Sequence, residues 1–199
     1  MFDFDFNKDY ILEDERVKLS PLQIDNVSDL LEIANEPDIW NYSFIKGNGE
    51  KKLRNYIAGA INQRHNQKEY PFIVFDKQTN QYAGCTRYCE ISPNIQSIRL
   101  GYTWYGERFR GTGLNKHCKY LLFQFAFEKM GAERIGLAAY SENLRSIAAM
   151  ESVGCKKEGV FRGIFPSLDG KGRTDAVLLS ILKPEWEKHV KHVLRGKLT

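Results

Sequence analysis

Apolar residues along this chain follow two rhythms, short runs or alternations that suit strands and three-to-four-residue stripes that suit helices. Arg16-Val-Lys-Leu-Ser20 reads as a short strand. Ser20 then predicts a helix N-cap with Pro21 at the first helical position, and Leu22, Val27, Leu30, Leu31 and Ile33 predict the helix itself, ending before Pro37. A second helix is expected from about Glu50 to Gln67, with Leu53, Ile57 and Ile61 on one side. Pro71–Phe75 and Tyr82–Tyr88 predict a hairpin across Lys77–Gln81, and Ser97–Trp104 the next strand. Leu114, Cys118, Leu121, Leu122 and Phe125 then recur as one apolar helical stripe. After a break at Gly131, Glu133–Ala139 reads as a strand. Ser141 or Glu142 is expected to start a short helix with Leu144, Ile147, Ala148 and Met150 facing inward and Gly154 ending it. Glu158–Arg162, the turn residues Asp169-Gly170 and Arg173–Ile181 predict a long hairpin, and Lys183–Lys197 an amphipathic surface helix. The order β-α-α-β-β-β-α-β-α-β-β predicts an α/β layered fold. No repeat or linker interrupts it, so residues 1–199 are expected to form one domain.

Composition narrows the class. With 42% hydrophobic and 27% charged residues, the chain suits an ordinary globular domain with a good core. Its apolar runs are far shorter than the roughly 20 residues of a membrane helix. The opening Met1-Phe-Asp-Phe-Asp-Phe6 is acidic where a secretory signal would be basic, so a cytoplasmic protein is expected. A net charge of +4 is mild, and the basic Lys183–Lys197 stretch lacks interleaved aromatics beyond Trp186, so neither nucleic acid nor membrane is expected as a partner. A homodimer is left open. The four cysteines, Cys85, Cys89, Cys118 and Cys155, form no Cys-x-x-Cys pair and read as buried free thiols. His189 and His192 lie one helical turn apart without a third ligand nearby, so no metal is expected.

Arg108-Phe-Arg-Gly111-Thr-Gly113 carries the chemistry because it stands between a strand and a helix. A helix start leaves backbone N–H groups unpaired under a partial positive charge. Glycines let a phosphate approach that backbone, and Arg108 and Arg110 add charge at the rim. The turn lacks the Gly-x4-Gly-Lys-Ser/Thr of nucleotide-hydrolysing loops. It also lacks a Gly-x-Gly-x-x-Gly dinucleotide fingerprint, since Lys116 stands where the third glycine belongs.

The remaining spelling, Arg-x-x-Gly-x-Gly, resembles the acyl-coenzyme A pyrophosphate loop of the GNAT superfamily of N-acetyltransferases. Asn143-x-x-Ser146, the short helix and Val153-Gly154 resemble that fold's second cofactor-contacting segment, and Pro184-Glu-Trp186 resembles the Rim-type branch that acetylates ribosomal-protein N termini. The resemblance is close over about residues 97 to 186, whereas residues 1 to 96 match in layout alone. It implies a mixed, mostly antiparallel sheet of about seven strands with helices on both faces. It also implies acetyl-coenzyme A as co-substrate and direct attack by an amine in a ternary complex. By resemblance, the backbone of Thr103 and Trp104 lies beside the pantetheine arm, and Arg108, Phe109, Arg110, Gly111, Thr112, Gly113 and Leu114 cradle the pyrophosphate. Asn143 would bond the pantetheine or an ordered water, and Ser146 would protonate the leaving thiolate. The aromatic stretch Ile39–Phe44 is either plain packing or a wall of the acceptor site.

Thioester chemistry sets the remaining demands. A neutral amine must attack, and an α-amine with a pKa of about 7.7–8.0 meets that demand more easily than a lysine near 10.4. A backbone N–H within Leu100–Trp104 is the expected donor to the thioester oxygen. One position departs from the family pattern: Arg99 stands where relatives place a glutamate often treated as the base, and arginine cannot take that role. Glu90 on the preceding strand is one substitute. Arg99 itself reads either as an exposed strand residue or as a reader of an anionic acceptor group. The acceptor is expected to be a protein N-terminal amine. A small-molecule amine (a polyamine or amino-sugar) and a non-catalytic acyl-coenzyme A-binding module are the alternatives.

Overall fold

A computed structural model describes residues 2–198. Their strands form one eight-stranded sheet in the order β1-β2-β3-β4-β5-β6-β8-β7, and only the β5–β6 pairing is parallel. The strands are β1 (Leu12–Glu13), β2 (Val17–Pro21), β3 (Tyr70–Asp76), β4 (Gln81–Ser92), β5 (Ser97–Tyr105), β6 (Arg134–Tyr140), β7 (Lys156–Pro166) and β8 (Arg173–Leu182). Two-residue β1, unassigned from the sequence, adds the eighth strand to the expected seven.

Helices α1 (Asn26–Ala34) and α2 (Glu50–His65) cover one face of the sheet. Helix α3 (Leu114–Glu128) covers the other, because neighbouring β5 residues point in opposite directions: Trp104 bonds Tyr56 of α2, while Thr103 bonds Lys119 of α3. Helix α4 (Leu144–Ser152) follows β6. A last helix, α5, runs through Lys183–Glu185, a π-turn over Trp186–Val190, and Lys191–Arg195. Trp186 is fully buried among Tyr120, Phe123 and Phe127 of α3, and its indole N–H bonds Glu128 at 3.0 Å. The N-terminal aromatics also pack inward, with Phe4 against Phe6, Tyr10, Tyr70 and Phe125.

Two helix starts differ from expectation. Pro21 ends β2 opposite Phe72, and Leu22 N–H bonds Pro71, so α1 begins only at Asn26. Sheet pairing has overridden the Ser20-Pro21 cap signal. At α4 the cap is Asn143, whose side chain accepts from Ser146 N–H at 3.1 Å. That later start turns Leu144 outward, 72% exposed, and leaves Ala148 exposed too. Only Met150 of the expected inward set is fully buried, with Ile147 half-buried against the core. Gly154 closes the helix at φ +97°, where an added Cβ would stand 2.4 Å from Val190 of α5. All four cysteines are free and buried.

Candidate active site

The site begins where the parallel pairing stops. Strands β5 and β6 match through Ser97–Arg134, Ile98–Ile135 and Arg99–Gly136 and then part. Above that point Gly101–Tyr105 pairs with β4 alone and Leu137–Tyr140 with β8 alone. A bulge makes the departure: Cys85 faces Trp104 and Arg87 faces Gly101, so Tyr102 and Thr103 oppose Thr86 alone. Tyr102 takes φ +51°, the left-handed region that a tyrosine rarely enters, and its ring lies under the Arg87 guanidinium at 4.1 Å. The β6-facing edge of this half of β5 is a strand edge without a strand neighbour, and Tyr102 and Thr103 within it are exposed. An extended chain bearing amides can pair with such an edge.

Behind the edge, Trp104 is buried between Trp40 and Tyr56, with ring centroids 5.1 and 6.2 Å away. Its side chain is therefore structural, and only its backbone can face the gap. The same holds for Phe109 and Leu114, which anchor the following turn in the core. The turn runs through a 3-10 segment, Glu107–Phe109, and enters α3 with Gly111 at φ +75° and Gly113 at φ +90°. Among the described residues, the N–H groups of Gly111, Thr112, Gly113 and Asn115 have no acceptor. Nothing lies within 4 Å of a Cβ placed on Gly111, so its glycine answers a backbone need and open space. Thr112 braces the turn by bonding Phe109 O, and Arg110 braces it through Tyr105 O, each at 2.9 Å. Arg110 also lies near Arg145 of α4; burial and that second cation pull its pKa down. Two arginines and a row of unpaired N–H groups at a helix start are a site for a polyanion.

Asn143 and Ser146 stand across the gap at the head of α4, both half-buried. Asn143 spends its carbonyl oxygen on the Ser146 N–H and keeps its amide N–H₂ free for a ligand. An open cleft of about 350 Å³ lies here, lined by Asp38, Asn41, Tyr42, Glu142, Asn143, Leu144 and Arg145. The aromatic stretch divides between its two readings. Ile39 and Trp40 are core, while Tyr42 and Phe44 stand exposed against Tyr140 and Phe165, and Tyr42 OH bonds Glu142 O at 3.3 Å.

Arg99 is neither a lone surface residue nor a free anion reader: its guanidinium donates to Glu90 at 2.6 Å. Glu69, a carboxylate close enough to act on Tyr102, accepts from buried Arg87 at 2.6 Å. Glu90 and Glu69 are thus each engaged by an arginine.

Sequence reasoning missed two further groups beside the loop. Asp14, Glu15 and His117 converge with ligand atoms within 4.8 Å of one another, next to an open pocket of about 830 Å³ bounded by Arg16, Asp76, Arg108 and Thr112. Asp14 is already engaged, bonding His117 Nδ1 at 2.7 Å and capping the N–H groups of Arg16 and Val17. Their separation of 103 residues hid this pairing from any local pattern. The second is Lys119, buried beneath Thr103, which only its one-turn offset from the apolar stripe could have hinted at.

Known proteins share this fold. The model of the acetyltransferase (GNAT) domain family matches residues 16–156. A Bacillus subtilis (strain 168) protein, the candidate ribosomal N-acetyltransferase YdaF, is 34% identical over 93 residues, which cover 46% of this chain and 49% of that protein. The crystal structure of a GCN5-related N-acetyltransferase from Brucella melitensis superposes with a TM-score of 0.87 at 23% identity, covering 96% of this chain and 86% of that one. Mycobacterium smegmatis RimJ, in complex with CoA-disulfide, superposes with a TM-score of 0.78 at 18% identity over 95% of this chain and 94% of its own. With the family model spanning well over half of its length, the chain belongs to the GNAT acetyltransferases and is an acyl-coenzyme A-dependent N-acetyltransferase.

Proposed function

We propose that this enzyme acetylates a primary amine of low pKa, foremost the α-amine of a protein N terminus, by direct attack on acetyl-coenzyme A in a ternary complex. The observation that carries the acceptor class is the engagement of Glu90 by Arg99 and of Glu69 by Arg87. Each carboxylate already holds a guanidinium, so neither stands free to take the amine's proton, and the amine must arrive largely neutral. An α-amine does so near pH 8, and a lysine side chain does not. The name of YdaF points to a ribosomal substrate in that protein, and the same class suits this site.

The geometry supports the donor half of this reading. The loop N–H groups, with Arg110 and Arg145, receive the pyrophosphate, and the open edge of β5 receives the pantetheine amides. The amine then attacks the thioester carbon, the C–N bond forms, and the C–S bond breaks. A backbone N–H within Leu100–Trp104 steadies the carbonyl oxygen as charge grows on it. The ammonium formed on attack gives its proton to water, and the Ser146 hydroxyl passes one to the thiolate while taking one back from water, so the enzyme ends with the protons it began with. Tyr42, Phe44 and Leu144 give the acceptor cleft an exposed apolar rim.

An acceptor panel scored from pH 6.5 to 9 tests the reading. Peptide N termini should be acetylated faster than lysine or polyamines at neutral pH, with the rate rising toward the acceptor's own pKa. Arg99→Glu should flatten that profile. Polyamines or free lysine winning at pH 7 would overturn the acceptor class and make Glu90 the first residue to mutate.

A further inference from the structure

Lys119 is the one lysine of the described chain that is buried, with 4% of its surface exposed. Its ammonium donates to Thr103 Oγ1 at 3.1 Å, and that hydroxyl shares a 2.8 Å bond with Thr86 Oγ1. Among the described residues no carboxylate lies within ion-pair distance of it, and Thr103 is its one acceptor. A lysine ammonium carries three N–H groups, so two are left without partners. Desolvation pulls its pKa down to about 8. A buried cation without a counter-charge is expensive to keep, and nothing in the packing of α3 demands one at this position.

Its place explains it. Thr103 is an exposed residue in the half of β5 that has parted from β6, so the ammonium bonds the parted half of the strand from the α3 face. Lys119 lies about 7.5 Å along the helix from Leu114, at 1.5 Å per residue. The pyrophosphate sits at the Leu114 end, so the ligand portion level with Lys119 is the amide-bearing stretch of the arm, above its sulfur. Amide carbonyls are the acceptors that an under-coordinated ammonium lacks. Cys155, at the exit of α4, is close enough to act on that charge.

We propose that Lys119 is a cofactor-binding residue whose ammonium donates to an amide carbonyl of the pantetheine arm where that arm runs along the open edge of β5. The inference rests on the acyl-coenzyme A reading above and adds a cation to the part of the cofactor farthest from formal charge. A partner favours the protonated lysine, so binding raises its pKa and takes up protons near pH 8. Cofactor affinity is then highest below that pH and falls above it. The titratable groups around the ammonium stay out of the way. Cys118 on α3 and Cys155 before β7 are pushed up to about 12 by burial, and Tyr105 beside Cys118 is pushed well above its usual value.

Calorimetric titration of acetyl-coenzyme A at pH 8, repeated in buffers of different ionisation enthalpy, reads the proton directly. The thioester is used because it has no thiol of its own to titrate. The wild-type protein should take up on the order of half a proton per cofactor bound. Lys119→Met, which keeps the length and packing of the stem, should take up none and bind roughly tenfold more weakly. Wild-type binding without proton uptake would overturn the role of Lys119 without any variant having to fold. So would an unchanged uptake in the methionine variant, since a lysine that only props Thr103 leaves the proton count alone. Failure of the wild-type protein to bind acetyl-coenzyme A at all would instead remove the cofactor reading on which this one stands.

Discussion

Raising the pH from 7 to 10 should destabilise this protein through thiols that never see solvent. Burial pushes Cys85, Cys89, Cys118 and Cys155 up to about 12, whereas a cysteine in the unfolded chain titrates near 8.5. Between those values the unfolded chain gives up protons that the folded chain keeps, so stability falls with rising pH. By pH 10 each thiol contributes a loss of about 2 kcal/mol, and the four together about 8. Lys119 works in the opposite direction. Its folded value of about 8 lies below the unfolded value near 10.4, so the unfolded chain holds the extra proton and stability rises across that window. That gain is about 2–3 kcal/mol by pH 10, leaving a net loss of roughly 5–6. Such a loss is comparable to the whole stability of a marginal domain. Urea unfolding followed by circular dichroism at pH 7, 8, 9 and 10, under reducing conditions, measures it. Cys118→Ala lowers the starting stability by opening a small cavity, but it should shrink the fall by about 2 kcal/mol. Lys119→Met should steepen it by a similar amount. A stability that stays flat or rises between pH 8 and 10 would refute the reasoning, as would a Cys118→Ala curve parallel to wild type.

Two further substitutions address the reaction. Gly111→Val places a branched side chain at φ +75° in the mouth of the phosphate loop, with no neighbour within 4 Å to clash. It should raise the Kd for acetyl-coenzyme A from the micromolar range by at least tenfold while costing about 1–2 kcal/mol of stability, read by calorimetry and thermal melting; unchanged affinity would detach the loop from the cofactor. Ser146→Ala should lower kcat by about 10²-fold with cofactor affinity unaltered. Steady-state kinetics with an unchanged kcat would return Ser146 to a plain helix hydroxyl.

The strand, loop and helix of the proposed cofactor site were legible because each is written in local spacing. The alternation in Ser97–Trp104, the paired glycines and the stripe from Leu114 need no distant partner to be read. Helix starts were less legible because capping signals compete with tertiary pairing. Ser20-Pro21 spells a cap, yet β3 offered those residues a strand partner and took them into the sheet. Asn143 outbid Ser141 and Glu142 for the cap because its side chain, alone of the three, reaches the Ser146 N–H. The pairings Arg99–Glu90, Glu69–Arg87, Asp14–His117 and Lys119–Thr103 join residues 9 to 103 positions apart, and no periodicity announces them. Nor does any residue type announce the bulge, since its left-handed position holds a tyrosine rather than a glycine.

That tyrosine also says why the gap can wait open for its cofactor. A parallel pair that parts after three residues would ordinarily close again, because unpaired backbone groups gain by finding partners. Here β5 is held away from β6 by what lies behind it. Trp104 is packed between Trp40 and Tyr56, its indole N–H bonds the Tyr56 hydroxyl at 3.2 Å, and the Arg87 guanidinium lies over both the Tyr56 and Tyr102 rings. Arg87 is fixed in turn by Glu69. Closing the gap would mean flattening the bulge and withdrawing a tryptophan from the core, a loss of several kcal/mol against one or two recovered hydrogen bonds. Exposure of Thr103 keeps the waiting edge hydrated, so the open state does not carry buried, unsatisfied amides. The edge is therefore preorganised by side chains packed behind it, and Tyr56, Arg87 and the Trp104 indole belong to the proposed site as much as the loop proposed to hold the phosphates.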